Sequence, residues 1–132
     1  MTAQQLLGAH PRPVGDLEAV ARCVEACAEC ATACTICADA DAAEPDVVEM
    51  LRCSRLCLDC ADACTAAGRV VARQTAPDAA VLRAMLEACR TACRACAVEC
   101  ERHAEHHEHC RLCALSCRSC EEACDALLAV AG

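Results

Sequence analysis

Cysteine recurs at spacings of three and four residues along four stretches of the chain, and Ala, Glu, Asp and Arg fill most of the positions between them. The stretches span residues 23–37, 53–64, 89–100 and 110–124. Alternation of these two spacings is typical of the buried stripe of an α-helix that packs against other helices. The pattern therefore predicts four amphipathic helices whose inward faces carry thiols where Leu, Ile and Val are usual.

The segment that precedes the first predicted helix is a short lead-in of residues 1–15. Pro and Gly near its end terminate any short helix that forms around Leu6 and Leu7. Asp16 is a suitable N-cap for the first long helix, because its carboxylate can accept a hydrogen bond from the first turn. We expect this helix to run to about Ala43.

Two turns that contain Pro separate the next helices. Residues 44–46 form the first turn, and we expect Asp46 to start the second helix, which runs to about Arg73. Residues 74–78 form the second turn, with Asp78 at the start of the third helix.

The third turn has neither Pro nor Gly, and it is predicted from the register of the stripe instead. Through residues 96–113 the cysteines and histidines follow the helical spacing until a repeated three-residue step near Cys110 breaks it. One continuous helix of about fifty residues is the alternative, but it would be about 75 Å long and could not fold its two thiol stripes together. We therefore place a turn after His103, and the fourth helix runs to about Val130.

Four helices of similar length joined by short turns predict an all-α fold, an antiparallel up-down-up-down four-helix bundle with a short N-terminal lead-in segment. Residues 1–15 form the N-terminal extension, and residues 16–132 form the Cys-lined bundle. This topology gathers polar residues at one end of the bundle, which we call the mouth: Asp39, Asp41, Glu44, Met50 and the run 103–109. It gathers aliphatic residues at the other end, which we call the floor: Leu17, Val20, Val70, Val71, Leu82, Met85, Leu86, Leu127 and Leu128.

Composition implies that the space between the helices is poorly filled by apolar side chains. The chain has no Phe, Trp or Tyr, and aromatic rings normally supply much of the area that a core buries. The net charge of −8, with Arg scattered among carboxylates and no Lys, argues against a nucleic-acid partner.

The N-terminal sequence has no basic segment followed by an apolar run, so we find no export signal. No stretch is long and apolar enough to span a membrane. We therefore expect a cytoplasmic protein, in which thiols are kept reduced rather than paired in disulfides. Thiols four residues apart on one helix also have Cβ atoms about 6 Å apart, which exceeds the usual separation in a disulfide.

The cysteines form chelating pairs along each helix. Two thiols four residues apart lie on one face of a helix, and their sulfurs can be spanned by one Cu(I) ion in a near-linear S–Cu–S arrangement of about 4.5 Å. Eight such pairs are present: 23/27, 30/34, 53/57, 60/64, 89/93, 96/100, 113/117 and 120/124. The remaining two thiols, Cys37 and Cys110, are expected at the mouth.

Charge balance and ligand softness favour copper as the metal. One Cu(I) per thiolate is neutral, whereas Zn(II) with four thiolates carries two surplus negative charges that are costly to bury. Zinc sites and iron–sulfur clusters also use compact turn or loop motifs that this chain lacks. A zinc reservoir, an iron–sulfur protein and a thiol redox buffer stay open as alternatives at this point.

Several residues at the mouth are candidate ligands outside the thiol set. Met50 offers a soft thioether, although a lone Met at such a position is also common in ordinary cores. His103 and His107 continue the stripe of the third helix, and His109 flanks Cys110. These side chains would provide sites where copper enters, or would simply form a solvated polar turn. We expect His106 to face solvent.

The eight pairs, the missing aromatic residues and the His-bearing mouth resemble the bacterial copper storage proteins, in their cytosolic branch, over about residues 16–130. The resemblance implies that each protomer stores many Cu(I) ions, loads them through the mouth and assembles as a homotetramer. Exposed apolar side chains would serve that assembly: Val24, Leu56, Leu58, Val98, Leu112 and Leu115. Its partners would be copper ions and the proteins or small chelators that donate or accept them.

The metal ligands implied by the stripe and by this resemblance comprise all the cysteines and four mouth residues. They are Cys23, Cys27, Cys30, Cys34, Cys37, Cys53, Cys57, Cys60, Cys64, Cys89, Cys93, Cys96, Cys100, Cys110, Cys113, Cys117, Cys120, Cys124, Met50, His103, His107 and His109. An enzyme is not expected, because a di-iron bundle needs Glu-x-x-His motifs and no His here has a Glu three residues before it.

Overall fold

The structure is a computed structural model that describes residues 1–131. Its α-helices are α1 (Ala3–Gly8), α2 (Leu17–Ala43), α3 (Leu51–Ala72), α4 (Ala79–His103) and α5 (Glu108–Ala131). A 3₁₀ turn over Val47–Met50 precedes α3, and the described part of the chain contains no strand. The all-α prediction is therefore confirmed, with helix ends within a few residues of the predicted ones.

Two of the predicted helix starts are fixed by carboxylate caps. Asp16 accepts a hydrogen bond from the backbone N–H of Ala19 at 3.0 Å, and Asp78 accepts one from Val81 at 3.0 Å. Each bond satisfies an amide of the first turn that has no partner inside its helix. The turn after His103 is also confirmed, because α5 begins again at Glu108.

Asp46 occupies the N-cap position of the 3₁₀ turn Val47–Met50, which continues directly into α3 at Leu51, so the helical segment begins at the predicted residue. Its side chain, however, accepts no capping hydrogen bond. The Asp46 carboxylate lies instead 3.1 Å from His107 Nε2, across the mouth. Its engagement with that imidazole explains why it does not cap the helix.

The four long helices form an antiparallel bundle in which each packs against two neighbours. α2 packs against α3, α3 against α4, α4 against α5, and α5 closes the ring against α2. Short connections make consecutive helices antiparallel, so the up-down-up-down topology is confirmed. None of the described helices combines the length and the apolar character that a membrane crossing requires.

The core of the bundle is made of sulfur along its length and of aliphatic side chains at the floor. Every cysteine is at most 1% exposed, and Val20, Val71, Leu86, Leu127 and Leu128 are buried at the floor. Two of the apolar residues that we expected at the surface, Val24 and Leu56, are only half-exposed because they pack against this core.

The N-terminal lead-in is more ordered than its sequence suggests. It contains α1, and Leu7 is buried against the bundle whereas Leu6 is 60% exposed. His10, to which the sequence assigns no role, lies 3.2 Å from the hydroxyl of Thr75 through Nε2. Arg12 donates to the carbonyl of the same residue at 3.4 Å. The lead-in is thereby tied to the turn between α3 and α4, at the floor.

Candidate metal centre

The helical periodicity brings sulfurs of one helix close together, as the spacing predicts. The Sγ–Sγ distances are 3.8 Å for Cys30/Cys34, 4.0 Å for Cys53/Cys57, 3.8 Å for Cys60/Cys64 and 3.9 Å for Cys96/Cys100. These separations are slightly shorter than the span of a linear S–Cu–S unit, which is about 4.5 Å. A small rotation of each side chain would therefore admit one Cu(I) ion.

Sulfurs of different helices approach one another at least as closely. Cys57 and Cys96 are 3.6 Å apart, and so are Cys34 and Cys117. The sequence suggests chelation within single helices, but the structure gives the thiols equally short contacts across the bundle. Consequently a metal ion could be held within one helix or between two helices.

Groups of four thiols converge at several levels of the core. Cys30, Cys64, Cys93 and Cys120 come from the four different long helices, and their Sγ atoms all lie within 4.8 Å of one another. Further groups with the same property are Cys27/Cys89/Cys120/Cys124, Cys30/Cys34/Cys60/Cys117, Cys34/Cys96/Cys113/Cys117 and Cys37/Cys53/Cys57/Cys100. Because Cys30, Cys34, Cys117 and Cys120 each belong to two groups, four of these five groups share ligands. The contacts of Cys96 with Cys57 at 3.6 Å and with Cys100 at 3.9 Å connect the fifth group to them, so the thiols form one continuous array.

All eighteen cysteines are free thiols. Contacts between neighbouring sulfurs raise the pKa of some of these thiols and lower the pKa of others. Contacts with the sulfurs of Cys124 and Cys27, together with burial, raise the pKa of Cys23. Contacts with Cys120 and Cys27, together with burial, raise the pKa of Cys64. Metal binding must therefore displace protons from these sulfurs, since the thiolate is the ligand.

The two additional thiols lie together at the mouth, as predicted. Cys37 Sγ and Cys110 Sγ are 3.9 Å apart. His109 Nδ1 lies 3.3 Å from Cys37 Sγ and 3.7 Å from Cys110 Sγ. Of the three candidate histidines, His109 is therefore the one that the structure brings into contact with the thiol array.

A buried carboxylate adjoins the same two thiols. Asp41 is fully buried, accepts a hydrogen bond from the Ser54 hydroxyl at 3.1 Å and accepts one from Cys110 Sγ at 3.9 Å. Burial, followed by contact with Cys53, raises its pKa to about 7. The sequence placed Asp41 at the mouth without a role, yet it lies four residues after Cys37 and so continues the stripe.

The other two histidines are held by carboxylates. His103 donates from Nε2 to Glu99 at 2.9 Å, and Glu99, itself buried, also accepts from Arg102 at 3.0 Å. His107 contacts Glu44 through Nδ1 and lies 3.1 Å from Asp46 through Nε2. Although burial opposes it, the nearby carboxylates Asp46 and Glu44 raise the pKa of His107.

One residue at the mouth, Glu99, was missed by the sequence analysis, and two others, Met50 and His106, were considered there. Glu99 was not among the candidate residues, although its position four residues before His103 places both on one helix face. Met50 is completely buried within the core at the mouth end, and His106 is exposed as predicted.

Comparison with known proteins gives one matching family model and several similar solved structures. A family model described as copper storage protein matches residues 16–129. The copper storage protein of Streptomyces lividans loaded with 10 copper equivalents is 55% identical, with 97% of this chain and 98% of that chain covered and a TM-score of 0.94. A structure of copper loading to the cytosolic copper storage protein of S. lividans, with five coppers, is 58% identical over 85% of this chain and 93% of that chain, with a TM-score of 0.83.

A His-to-Ala mutant of the S. lividans protein is also similar, at 55% identity over 91% of this chain and 100% of that chain, with a TM-score of 0.88. A search of curated proteins found no match.

Proposed function

Because the chain belongs to the copper storage protein family, we propose that it stores many Cu(I) ions in the cytoplasm as thiolate complexes within the bundle. The observation that carries this proposal is the continuous array of eighteen buried thiols with shared four-sulfur groups. Storage of this kind would protect the cell from free copper and would hold the metal for later use. The cytosolic protein of S. lividans supports the proposed compartment.

Charge favours Cu(I) over Zn(II) in this array. Each Cu(I) that replaces a thiol proton leaves the core neutral, whereas each Zn(II) bound by four thiolates leaves two negative charges in an apolar interior. Besides Ala, Val, Leu and Met, the buried residues described around the sulfurs are the acids Asp41 and Glu99, and none of them is a Lys or Arg that would supply a compensating cation. About eighteen Cu(I) ions could therefore bind without a charge penalty.

The proposed ligands are all eighteen cysteines, with Met50, His103, His107 and His109 as weaker sites at the mouth. His109 is supported by its 3.3 Å approach to Cys37. His103 and His107 would have to leave their carboxylate partners, or bind through the nitrogen that remains, to take copper. Met50 is supported by its complete burial in the core cluster that contains the thiols and by its soft sulfur.

We further propose the division into an extension, residues 1–15, and a bundle, residues 16–132. The start of α2 at Leu17 and of the family match at residue 16 supports this boundary. The bundle is proposed to act as a binding protein without turnover. It is also proposed to form a homotetramer, for which exposed Leu58, Val98, Leu112 and Leu115 provide apolar surface.

Anaerobic titration of the reduced protein with Cu(I) against a competing chelator tests the proposed function. We expect uptake to approach one ion per cysteine and thiolate-to-copper absorbance to rise in proportion, unobscured by aromatic residues. A parallel titration with Zn(II) is the comparison. Saturation near four ions with a preference for zinc would indicate a zinc reservoir, and rapid formation of disulfides with little metal uptake would indicate a redox buffer.

A further inference from the structure

Apolar side chains are exposed at the mouth, on the connection between α2 and α3. Val48 is 77% exposed and Leu51 is 60% exposed, and Val47 beside them is 37% exposed. Val48 and Leu51 are three residues apart where the 3₁₀ turn joins α3, a spacing that places both side chains on one face. Exposed apolar surface that is rimmed by polar residues commonly marks a site where another protein binds. These residues are not among those that we assign to the homotetramer.

The segment that carries these side chains is fixed to the bundle. Met50, which precedes Leu51, is completely buried. The backbone N–H of Glu49 donates to the carbonyl of Asp46 at 2.9 Å, and the 3₁₀ turn packs against both α2 and α3. A partner that binds here would have little backbone to order, and less binding free energy would be lost than on a flexible loop.

The surface around the apolar side chains is strongly acidic. Residues 39–49 and 99–111, the two segments that frame the mouth, contain nine carboxylates and only two arginines. The net charge of the whole chain is −8, so most of its surplus negative charge lies at this end. A surface of this sign attracts basic molecules and repels acidic ones.

Three of these carboxylates are available to a positively charged partner. Asp39, Glu49 and Glu105 are exposed, and they form no ion pair with any residue that the structure describes. By contrast, the exposed carboxylates of Asp59 and Glu87, on the sides of the bundle, are each paired with an Arg four residues earlier. The three mouth carboxylates can therefore form new ion pairs without breaking existing ones.

We propose that the mouth presents a docking surface for a protein that carries Cu(I) and has basic and apolar side chains around its metal. The surface comprises Asp39, Val48, Glu49, Leu51 and Glu105. This inference rests on the proposed storage function, because it names the kind of partner that fills the thiol array. The carboxylates steer the carrier to the mouth and fix its orientation, and the apolar pair holds it there. A carrier with an acidic face is repelled, so the surface selects carriers by charge.

Two synthetic carriers test the proposal. Each is a peptide that binds Cu(I) through a Cys-x-x-Cys motif, and the motif is flanked by Leu and by a run of either Lys or Glu. Cu(I) transfer to the reduced, full-length protein is followed anaerobically by rapid separation and counting of the copper in the protein. In about 0.1 M salt we expect the Lys carrier to transfer at least about tenfold faster than the Glu carrier, and in about 1 M salt we expect the ratio to approach one.

Two double variants of equal net charge locate the effect. Glu49→Gln/Glu105→Gln should reduce the preference for the Lys carrier at least about threefold. Glu25→Gln/Glu29→Gln removes two exposed carboxylates from the side of α2 and should leave the preference unchanged. Glu29 lies about 20 Å along α2 from the mouth, which exceeds the Debye length of about 10 Å in 0.1 M salt.

A further double variant, Val48→Ser/Leu51→Ser, tests the apolar contact. It should raise the concentration of Lys carrier needed for half-maximal transfer by about fivefold or more. Val81→Ser is the control, because Val81 is 52% exposed but lies at the start of α4, at the floor. Circular dichroism establishes that each variant is folded.

Equal transfer from the two carriers would overturn the proposal, as would an equal loss of the Lys preference in both carboxylate variants. Copper uptake from a small uncharged Cu(I) complex decides the storage function separately, and every variant should take up as much copper from it as the wild type. If the wild type takes up no copper from that complex, storage itself fails. If it fills normally but does not distinguish the carriers, only the docking surface fails.

Discussion

At the scale of single residues, the mouth is the part of the core where residues other than cysteine occupy inward-facing positions of the helices. Asp41 occupies the next position of the α2 stripe after Cys37, and its carboxylate is buried beside Cys110 and Ser54. The spacing could have predicted its inward direction, since the step from Cys37 is again four residues. Its hydrogen bond with Ser54 could not be predicted, because it depends on how α2 and α3 pack.

Asp41 should make the stability of the copper-free protein depend on pH. Its pKa is raised to about 7 in the folded state by burial and by Cys53, whereas an unfolded Asp titrates near pH 4, at about 3.9. The folded state therefore holds this proton more tightly, and the stabilisation is complete below about pH 4 and is lost as pH rises to about 7. Thermal unfolding of the wild type and Asp41→Asn, followed by circular dichroism, checks this.

We expect the difference in stability between wild type and Asp41→Asn to change through this pH window and to level off above it. Asp39→Asn, which alters an exposed carboxylate two residues away, is the control and should follow the wild-type pH dependence. Parallel pH curves for the wild type and Asp41→Asn would contradict the assignment.

At the scale of elements, the sequence predicted four helices and their turns because local signals agree with one another. Asp16 and Asp78 cap as expected, and the register break near Cys110 correctly located the turn that lacks Pro and Gly. At Asp46 the helical segment begins as predicted, but a contact with His107, from a distant turn, replaces the local capping hydrogen bond. A suitable residue makes its capping hydrogen bond only where no tertiary partner competes for the side chain.

Glu121 is the residue that best illustrates how the outer faces of two helices are joined. It accepts hydrogen bonds from Arg94 of α4 at 2.7 Å and from Arg118 at 2.9 Å. Although burial opposes it, these guanidinium groups lower the pKa of Glu121. We expect Glu121→Gln to reduce the free energy of unfolding at pH 7 by about 1 kcal/mol, measured by urea denaturation of the reduced protein.

The sign of the pH effect follows from the lowered pKa. The contribution of Glu121 is present above the pKa of an unfolded Glu, about 4.3, and is lost as pH falls through the lower folded value. Glu122→Gln is the matched control, because Glu122 is 72% exposed and has a single 3.6 Å contact with Arg22. An equal loss of stability in both variants would show that the α4–α5 bridge has no special role.

At the scale of the whole molecule, the sequence predicted the polar mouth and the aliphatic floor from the bundle topology. It could not predict which sulfurs meet, because that depends on the rotation of each helix and on the side-chain rotamers. The short contact between Cys57 and Cys96, for example, joins helices that the spacing rule treats separately. The packing of the lead-in against the floor could not be predicted from the hydrophobic pattern either, because a single buried residue, Leu7, produces no periodicity.

The lead-in should shield the thiols nearest the floor. Leu7→Ala should weaken its docking by about 2 kcal/mol, which corresponds to about a thirtyfold rise in the undocked population. Cys23 and Cys124 of the copper-free protein should then react faster with a maleimide, as mapped by peptide mass spectrometry, while Cys37 and Cys110 at the mouth should not. Leu6→Ala alters an exposed neighbour and should leave all four rates unchanged. If the floor thiols react at the wild-type rate in Leu7→Ala, the lead-in does not shield them.

Burial of every thiol has a consequence for how the cell could sense the copper content of the protein. Each Cu(I) replaces one proton, so the isoelectric point of a full protein should equal that of an empty one, and anaerobic native isoelectric focusing should give one unshifted band as copper is added. Zinc in the same array would instead move the band toward acid. The net charge of the protein therefore does not change as copper binds. A partner that responds to the copper content would have to contact the mouth itself.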